Sequence, residues 1–146
     1  MAIAYYSRTL PFPVEVVWET IADFHGLAEW IERIVEVEPE GGDGPGVVGS
    51  VRRITLTDGR VVGERLVAYD PQRRAYSYEF ASEHPFPVRR YRATVRLCPI
   101  IEDDTTFVEW FGEYDCDADD EQPCREQFLD RYRAFCADLA GYLGSG

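Results

Sequence analysis

Two glutamates, Glu64 and Glu109, are the residues best suited to chemistry in this chain, because each sits among apolar neighbours in a segment that alternates as a β-strand does. A carboxylate held away from water is costly unless something compensates it. Ordered water and tyrosine hydroxyls could solvate the acids, arginines could pair them, or a strand bulge could turn them out to solvent. The residues leave these three arrangements open. Strand parity puts Glu64 and Glu109 on one face with Ile54, Leu56, Leu66, Tyr78, Tyr91, Ala93, Phe107 and Phe111. Phe128, Tyr132, Phe135 and Leu139 of a C-terminal helix supply the opposite wall. This set is expected to line a cavity for a small, largely apolar molecule. Its aromatic rings offer stacking area at low entropic cost, which suits rings or isoprenoid-like ligands; any one of them alone reads more simply as core filling, but the set includes two carboxylates. No histidine or arginine is evident inside the set, and no nucleophile stands beside a partner base.

Other chemistries find less support. The four cysteines, Cys98, Cys116, Cys124 and Cys136, match no zinc or redox spacing, and His25 and His84 lie far apart, so neither a metal nor a cofactor is expected. A net charge of -12, from 27 acidic and 15 basic residues, repels phosphate backbones and anionic lipid. Nucleic acid is therefore not an expected partner, and no apolar run is long enough for membrane insertion. Met1 to Leu10 lacks the basic-then-apolar pattern of an export signal, which predicts a cytoplasmic protein with reduced thiols.

The elements that must position these residues follow from punctuation and period. At 146 residues the chain is expected to form one domain, residues 1–146. Ile3 to Leu10 reads as a strand, broken by Pro11 and Pro13. Val14, Val17, Trp18, Ile21 and Ala22 recur at helical spacing up to Gly26, and a second short helical turn covers Leu27 to Ile31. Strands are predicted at Ile34 to Glu38, Val48 to Thr57, Val61 to Tyr69, Ala75 to Phe80, Val88 to Leu97 and Thr106 to Asp115. Gly41 to Gly46 reads as a loop and Asp58-Gly59 as a hairpin turn. On the sixth of the chain's seven strands, Tyr91, Ala93, Val95 and Leu97 face one way and Arg90, Arg92, Thr94 and Arg96 the other. Asp117 to Glu121 supplies the N-terminus of a long helix, with Pro123 in its first turn and Phe128, Tyr132, Phe135, Leu139 and Tyr142 as its apolar stripe. The expected fold is α+β: a curved antiparallel sheet of about seven strands around a long C-terminal helix, with two short helices after the first strand.

That order is the helix-grip order, and five fragments along it resemble the START-like (SRPBCC) superfamily, specifically its small polyketide cyclase/dehydrase-like proteins. They are Pro13 to Trp18 with Ile21 to Phe24 and Trp30; Gly49 to Arg52; Glu64 to Leu66 with Asp70; Pro87 to Tyr91 with Ala93 to Val95; and Glu109-Trp110. More distantly the chain is similar to the plant abscisic acid receptors and the birch pollen allergen family. In those receptors the hairpin after the Gly-Ser-Val-Arg strand is a gate with an apolar residue and a proline at its tip. Here it reads Thr57-Asp-Gly-Arg60, and the position resembling the receptors' carboxylate-binding lysine falls on or near Glu32, so hormone sensing by that route is not expected.

The resemblance implies that both glutamates line the pocket, solvated by water and tyrosine hydroxyls and with raised pKa values. It also implies an alternative to simple binding: aldol closure or water elimination, with Glu64 or Glu109 as acid/base and Tyr91 or Tyr132 polarising a carbonyl. A third possibility is a protein interaction module. Val108, Trp110 and Tyr114, opposite Glu109 in parity, would then form an exposed stripe suited to a homodimer interface, unless a bulge near Gly112 buries Trp110. Ser82 to Pro87 and Thr57 to Arg60 are the candidate mouth loops.

Overall fold

The computed structural model describes residues 1–40, 47–81 and 84–145. Along the chain run β1 (Ala2–Leu10), α1 (Val14–Ile21), a 3-10 turn (Leu27–Glu29), β2 (Ile34–Glu40), β3 (Val51–Leu56), β4 (Val61–Asp70), β5 (Ala75–Phe80), β6 (Arg90–Ile100), β7 (Thr105–Asp115) and α2 (Ala118–Ser145). The strands form one antiparallel sheet in the order β1-β7-β6-β5-β4-β3-β2. β2 to β7 are a meander, and β1 returns to lie beside β7. The expected α+β architecture is therefore the observed one. The glycine-rich Gly41 to Gly46 and part of the Ser82 to Pro87 loop fall outside the described residues.

Boundaries moved where local chemistry outweighed the pattern. β2 runs through Pro39 to Glu40, which an edge strand tolerates because proline's missing donor need not serve a second neighbour. β3 begins at Val51 because Gly49 has φ +100°, a left-handed conformation that ends extended structure on its N-terminal side. α1 stops at Ile21, and Gly26 instead precedes the 3-10 turn. Pro123 lies inside α2, beyond the first turn assigned to it.

Cross-strand register settles which residues face inward. Tyr91, Ala93, Val95 and Leu97 of β6 are buried, and they stand opposite Tyr114, Gly112, Trp110 and Val108 of β7. Directly paired residues share a face. Phe107, Glu109 and Phe111 therefore lie on the outer face, opposite to the expected assignment, while Val108, Trp110 and Tyr114 are core residues and not an exposed stripe. From the helix side α2 contributes Cys124, Phe128, Tyr132, Cys136 and Leu139. Phe135 is half-buried, and Tyr142 is exposed. Sheet and helix approach closely at Gly112, where a Cβ would collide with the Tyr132 hydroxyl and come within 2.9 Å of Tyr91 Cε1. No helix is long and apolar enough to cross a membrane among the described residues.

Candidate functional site

The most unusual group in the interior is a complete ion pair. Antiparallel pairing sets Arg52 of β3 directly opposite Glu64 of β4, and Arg52 has the same parity as the inward Ile54 and Leu56. Its side chain is 1% exposed, that of Glu64 12%. Arg52 Nε and Nη2 both reach Glu64 Oε1, at 2.9 and 2.8 Å, and Nη1 donates to the Phe24 carbonyl at 2.8 Å. The guanidinium carbon lies 3.8 Å from the centre of the Phe24 ring and 4.9 Å from that of Tyr78. Burial opposes this charge, but Glu64 and the flanking Tyr76 and Tyr78 outweigh it, holding Arg52 above its ordinary pKa. Of the arrangements open for Glu64, arginine pairing is the one realised.

Beside the pair is a cavity of about 20 Å³, enough for roughly one ordered water. Leu27, Ile31, Ile34, Ile54, Leu56 and Val62 form its apolar wall. Tyr78, Trp110 and Phe135 add rings, and Arg52, Glu64 and Arg131 add charge. Trp110 Nε1 donates to the Tyr78 hydroxyl at 3.0 Å, so the two rings are locked together. Arg131 of α2 is half-buried, with its guanidinium 4.9 Å from the centre of the Phe86 ring. Among the described residues no hydrogen bond or ion pair engages it.

The expected pocket residues divide three ways. Ile54, Leu56, Glu64, Tyr78 and Phe135 line this cavity. Leu66, Tyr91, Ala93, Phe128, Tyr132 and Leu139 are buried in the packing around it. Tyr91 and Tyr132 share a hydrogen bond of 2.5 Å between their hydroxyls, and Tyr91 stacks on Phe80 at 4.3 Å. Burial pushes the pKa values of Tyr78, Tyr91 and Tyr132 well up, so these phenols stay neutral hydrogen-bonding groups at physiological pH.

Phe107, Glu109 and Phe111 are on the far side of the sheet. There Glu109 pairs with Arg96 (Nε to Oε1 2.6 Å, Nη2 to Oε2 3.3 Å) and accepts from the Tyr5 hydroxyl. The hydrogen bond from Arg96 lowers its carboxyl pKa despite partial burial, the reverse of the expected raised value. Glu109 is thus removed from the candidate acid/base pair.

Sequence reasoning missed Arg52 and Arg131 and left Trp110 open between surface and core, and each left a signal. Arg52 alternates in step with Ile54 and Leu56. Arg131 falls at i+3 from Phe128 and i-4 from Phe135, on the apolar stripe. Val108, Trp110, Gly112 and Tyr114 form the uncharged half of β7, whereas the other half carries Glu109 and Glu113. Several buried polar atoms lack a hydrogen-bond partner among the described residues, including the Tyr76 hydroxyl, Ser50 Oγ, Trp30 Nε1 and both ring nitrogens of His25. The Tyr76 hydroxyl is near enough to Arg52 to feel its charge but does not meet hydrogen-bond geometry. Burial first, and then the Arg52 charge, lower the His25 pKa.

Comparison with known proteins places these features in a family. A structure of a protein from Nitrosospira multiformis superposes with a TM-score of 0.85 at 31% identity, covering 97% of this chain and 95% of that one. The XoxI protein of Bacillus cereus gives 0.75 at 26% identity, covering 98% and 93%. A solution structure from Thermobifida fusca gives 0.87 at 24% identity, covering 99% and 95%, a likeness of fold alone. Among curated proteins none matches the chain significantly. The family model described as polyketide cyclase / dehydrase and lipid transport matches residues 1–144, and the chain belongs to that family.

Proposed function

We propose that the protein binds a small, largely apolar molecule in the space between β3, β4, β7, the 3-10 turn and α2. The observation that carries this reading is the Arg52–Glu64 pair beside a cavity whose other walls are mainly aliphatic and aromatic. A core that served stability alone would gain little from such a pair, since well-packed apolar side chains of similar volume are often as stable or more so. Polar groups fixed in an apolar wall are what a ligand site uses to orient its guest. The family description, which includes lipid transport, supports the same reading.

The cavity as it stands is small, so binding requires the lining to part. Phe135 and Arg131 are its half-buried members on α2, and the Thr57 to Arg60 hairpin lies near Arg131, whose charge contributes to the lowered pKa of Asp58. That lowering comes first from the backbone hydrogen bond of Arg60. Under this reading these elements are the ones that part to admit the ligand.

The test is methyl-resolved NMR during titration with decanol, together with native mass spectrometry of freshly purified protein. Shifts confined to Leu27, Ile31, Ile34, Ile54, Leu56 and Val62, or a retained small-molecule mass, support the reading. A protein that purifies empty and whose cavity methyls ignore decanol and a panel of apolar ring compounds would refute it.

One observation favours a second reading, acid/base chemistry of the cyclase or dehydrase kind. Glu64 is the one carboxylate among the residues lining the cavity, and it reaches that position already hydrogen-bonded. Proton transfer would then fall to Glu64 alone. Glu64→Gln should abolish turnover of a polyketide-like substrate under this reading, and change affinity modestly under the first.

A further inference from the structure

We infer that the ligand is an amphipathic acid, with its apolar body between sheet and helix and its carboxylate held by Arg131 at the mouth. This rests on the binding reading above and adds the chemical class and the residue that selects it. The chain as a whole carries a net charge of -12, yet the residues lining this cavity include two arginines and one glutamate. Arg52 is neutralised in place by Glu64 and further hydrogen-bonded to the Phe24 carbonyl, which leaves Arg131, among the described residues, as the uncompensated charge of the lining.

Arg131 is also positioned for the task. It occupies the cavity-facing stripe of α2 between Phe128 and Phe135, and the Phe86 ring supports its guanidinium from one side. A guanidinium stacked on a ring keeps its in-plane N–H donors available, the geometry that receives a carboxylate in a two-pronged hydrogen bond. Among the described residues, the two acids Asp58 and Glu64 are both engaged elsewhere. Asp58 feels the Arg131 charge but is hydrogen-bonded to Arg60, at 2.7 Å from Nε and 3.0 Å from the backbone N–H. Glu64 is committed to Arg52. A half-buried arginine without an anion has lost hydration and recovered little for it, so an entering carboxylate supplies what the site lacks.

The experiment compares decanoic acid with decanol and methyl decanoate, near neutral pH and at low salt, using the cavity-methyl shifts as readout. Wild type should bind the acid about tenfold or more tightly than either neutral analogue, the margin expected of one charge-assisted, partly desolvated contact. Arg131→Gln should abolish the difference between the acid and decanol, so that the ratio of their affinities falls from about tenfold to about one, and Arg131→Lys should keep part of the preference. Equal binding of acid and neutral analogues by wild type overturns the inference and leaves the cavity reading standing, and this arm needs no variant to fold. An acid preference that survives in Arg131→Gln also overturns it. If none of the three probes moves the cavity methyls, this inference is overturned, and the ring-compound panel and native mass spectrum decide the binding reading separately.

Discussion

Two arginine–glutamate pairs bridge neighbouring strands of the same sheet, one on each face. Arg52 and Glu64 stand directly opposite across β3 and β4, and Arg96 and Glu109 stand directly opposite across β6 and β7. Each arginine offers two N–H groups to its acid. The glutamates are equally shielded, at 12% exposure apiece, and the difference lies in the arginines: Arg52 is 1% exposed and Arg96 is 50% exposed. On the inner face the cation has left water entirely and depends on one carboxylate, one carbonyl and two rings. On the outer face half of the cation remains hydrated, and the pair only adjusts a balance that water already maintains. The same two side chains therefore make a structural commitment in one place and a surface contact in the other.

The largest effect that could break this comparison is removal of one member of each pair. Glu64→Gln strands a buried guanidinium and should lower unfolding free energy by about 3–5 kcal/mol, whereas Glu109→Gln should cost about 1 kcal/mol or less. Replacing both inner members, Arg52→Met with Glu64→Leu, should recover most of the loss. Urea unfolding monitored by tryptophan fluorescence measures all three. Equal losses for the two single glutamate variants would mean that the inner pair is solvated in a way its burial does not indicate.

Why one face was legible from the residues and the other was not comes down to β7. On β6 every outward position but one is arginine and every inward one is apolar, so parity is unambiguous from Arg90 to Leu97. On β7 both alternations carry rings: Phe107 and Phe111 on one, Trp110 and Tyr114 on the other. Hydrophobicity alone does not separate them. The tie is broken by partners distant in sequence, since β7 must match the inward side of β6 in register, and by the arginine that Glu109 finds on the outer face. The order of elements was readable because turns and helix ends are local. Arg52 illustrates the opposite case. Its charge argued against the core, while its alternation argued for it, and alternation was correct because Glu64 lies straight across the hairpin.

The next largest effect concerns close packing on the inner face. Gly112→Ala puts a methyl group against the Tyr132 hydroxyl and the Tyr91 ring, and should cost about 1–3 kcal/mol by forcing the tyrosine pair apart. A residue on the outer side of the same strand has no helix above it. Phe111→Ala and Gly112→Ala compared by thermal unfolding separate a loss of surface stacking on Tyr5 from a clash in the core. A Gly112→Ala protein as stable as wild type would show that sheet and helix are less tightly fitted than Tyr91 and Tyr132 indicate.

Hydroxyl deletions sharpen the contrast at a smaller scale. Tyr132→Phe leaves the buried Tyr91 hydroxyl without its 2.5 Å partner and should cost about 1–2 kcal/mol. Tyr5→Phe removes a donor from Glu109 on the outer face, where water replaces it, and should cost about 0.5 kcal/mol or less. Chemical denaturation of the two variants in parallel tests the ordering, and reversal of it would place the Tyr91–Tyr132 pair in contact with water.

The smallest expected effect is the pH dependence of the outer pair. The Arg96 hydrogen bond holds the Glu109 pKa below its ordinary value of 4.5, so the folded state binds this proton less readily than the unfolded chain does. The resulting stabilisation is fully present above pH 4.5 and is lost as pH falls from there through the folded-state value. Glu109→Gln lacks it at every pH. The stability gap between wild type and Glu109→Gln should therefore be about 1 kcal/mol or less near neutrality and should close as the solution is acidified below the carboxylate range. Added salt should shrink the neutral-pH gap as well, because half of Arg96 is exposed to counterions. Urea midpoints measured at neutral and acidic pH, with and without salt, give all four values. A gap that persists unchanged in acid would assign the effect of Glu109 to packing against Tyr5 and Phe111, not to its charge.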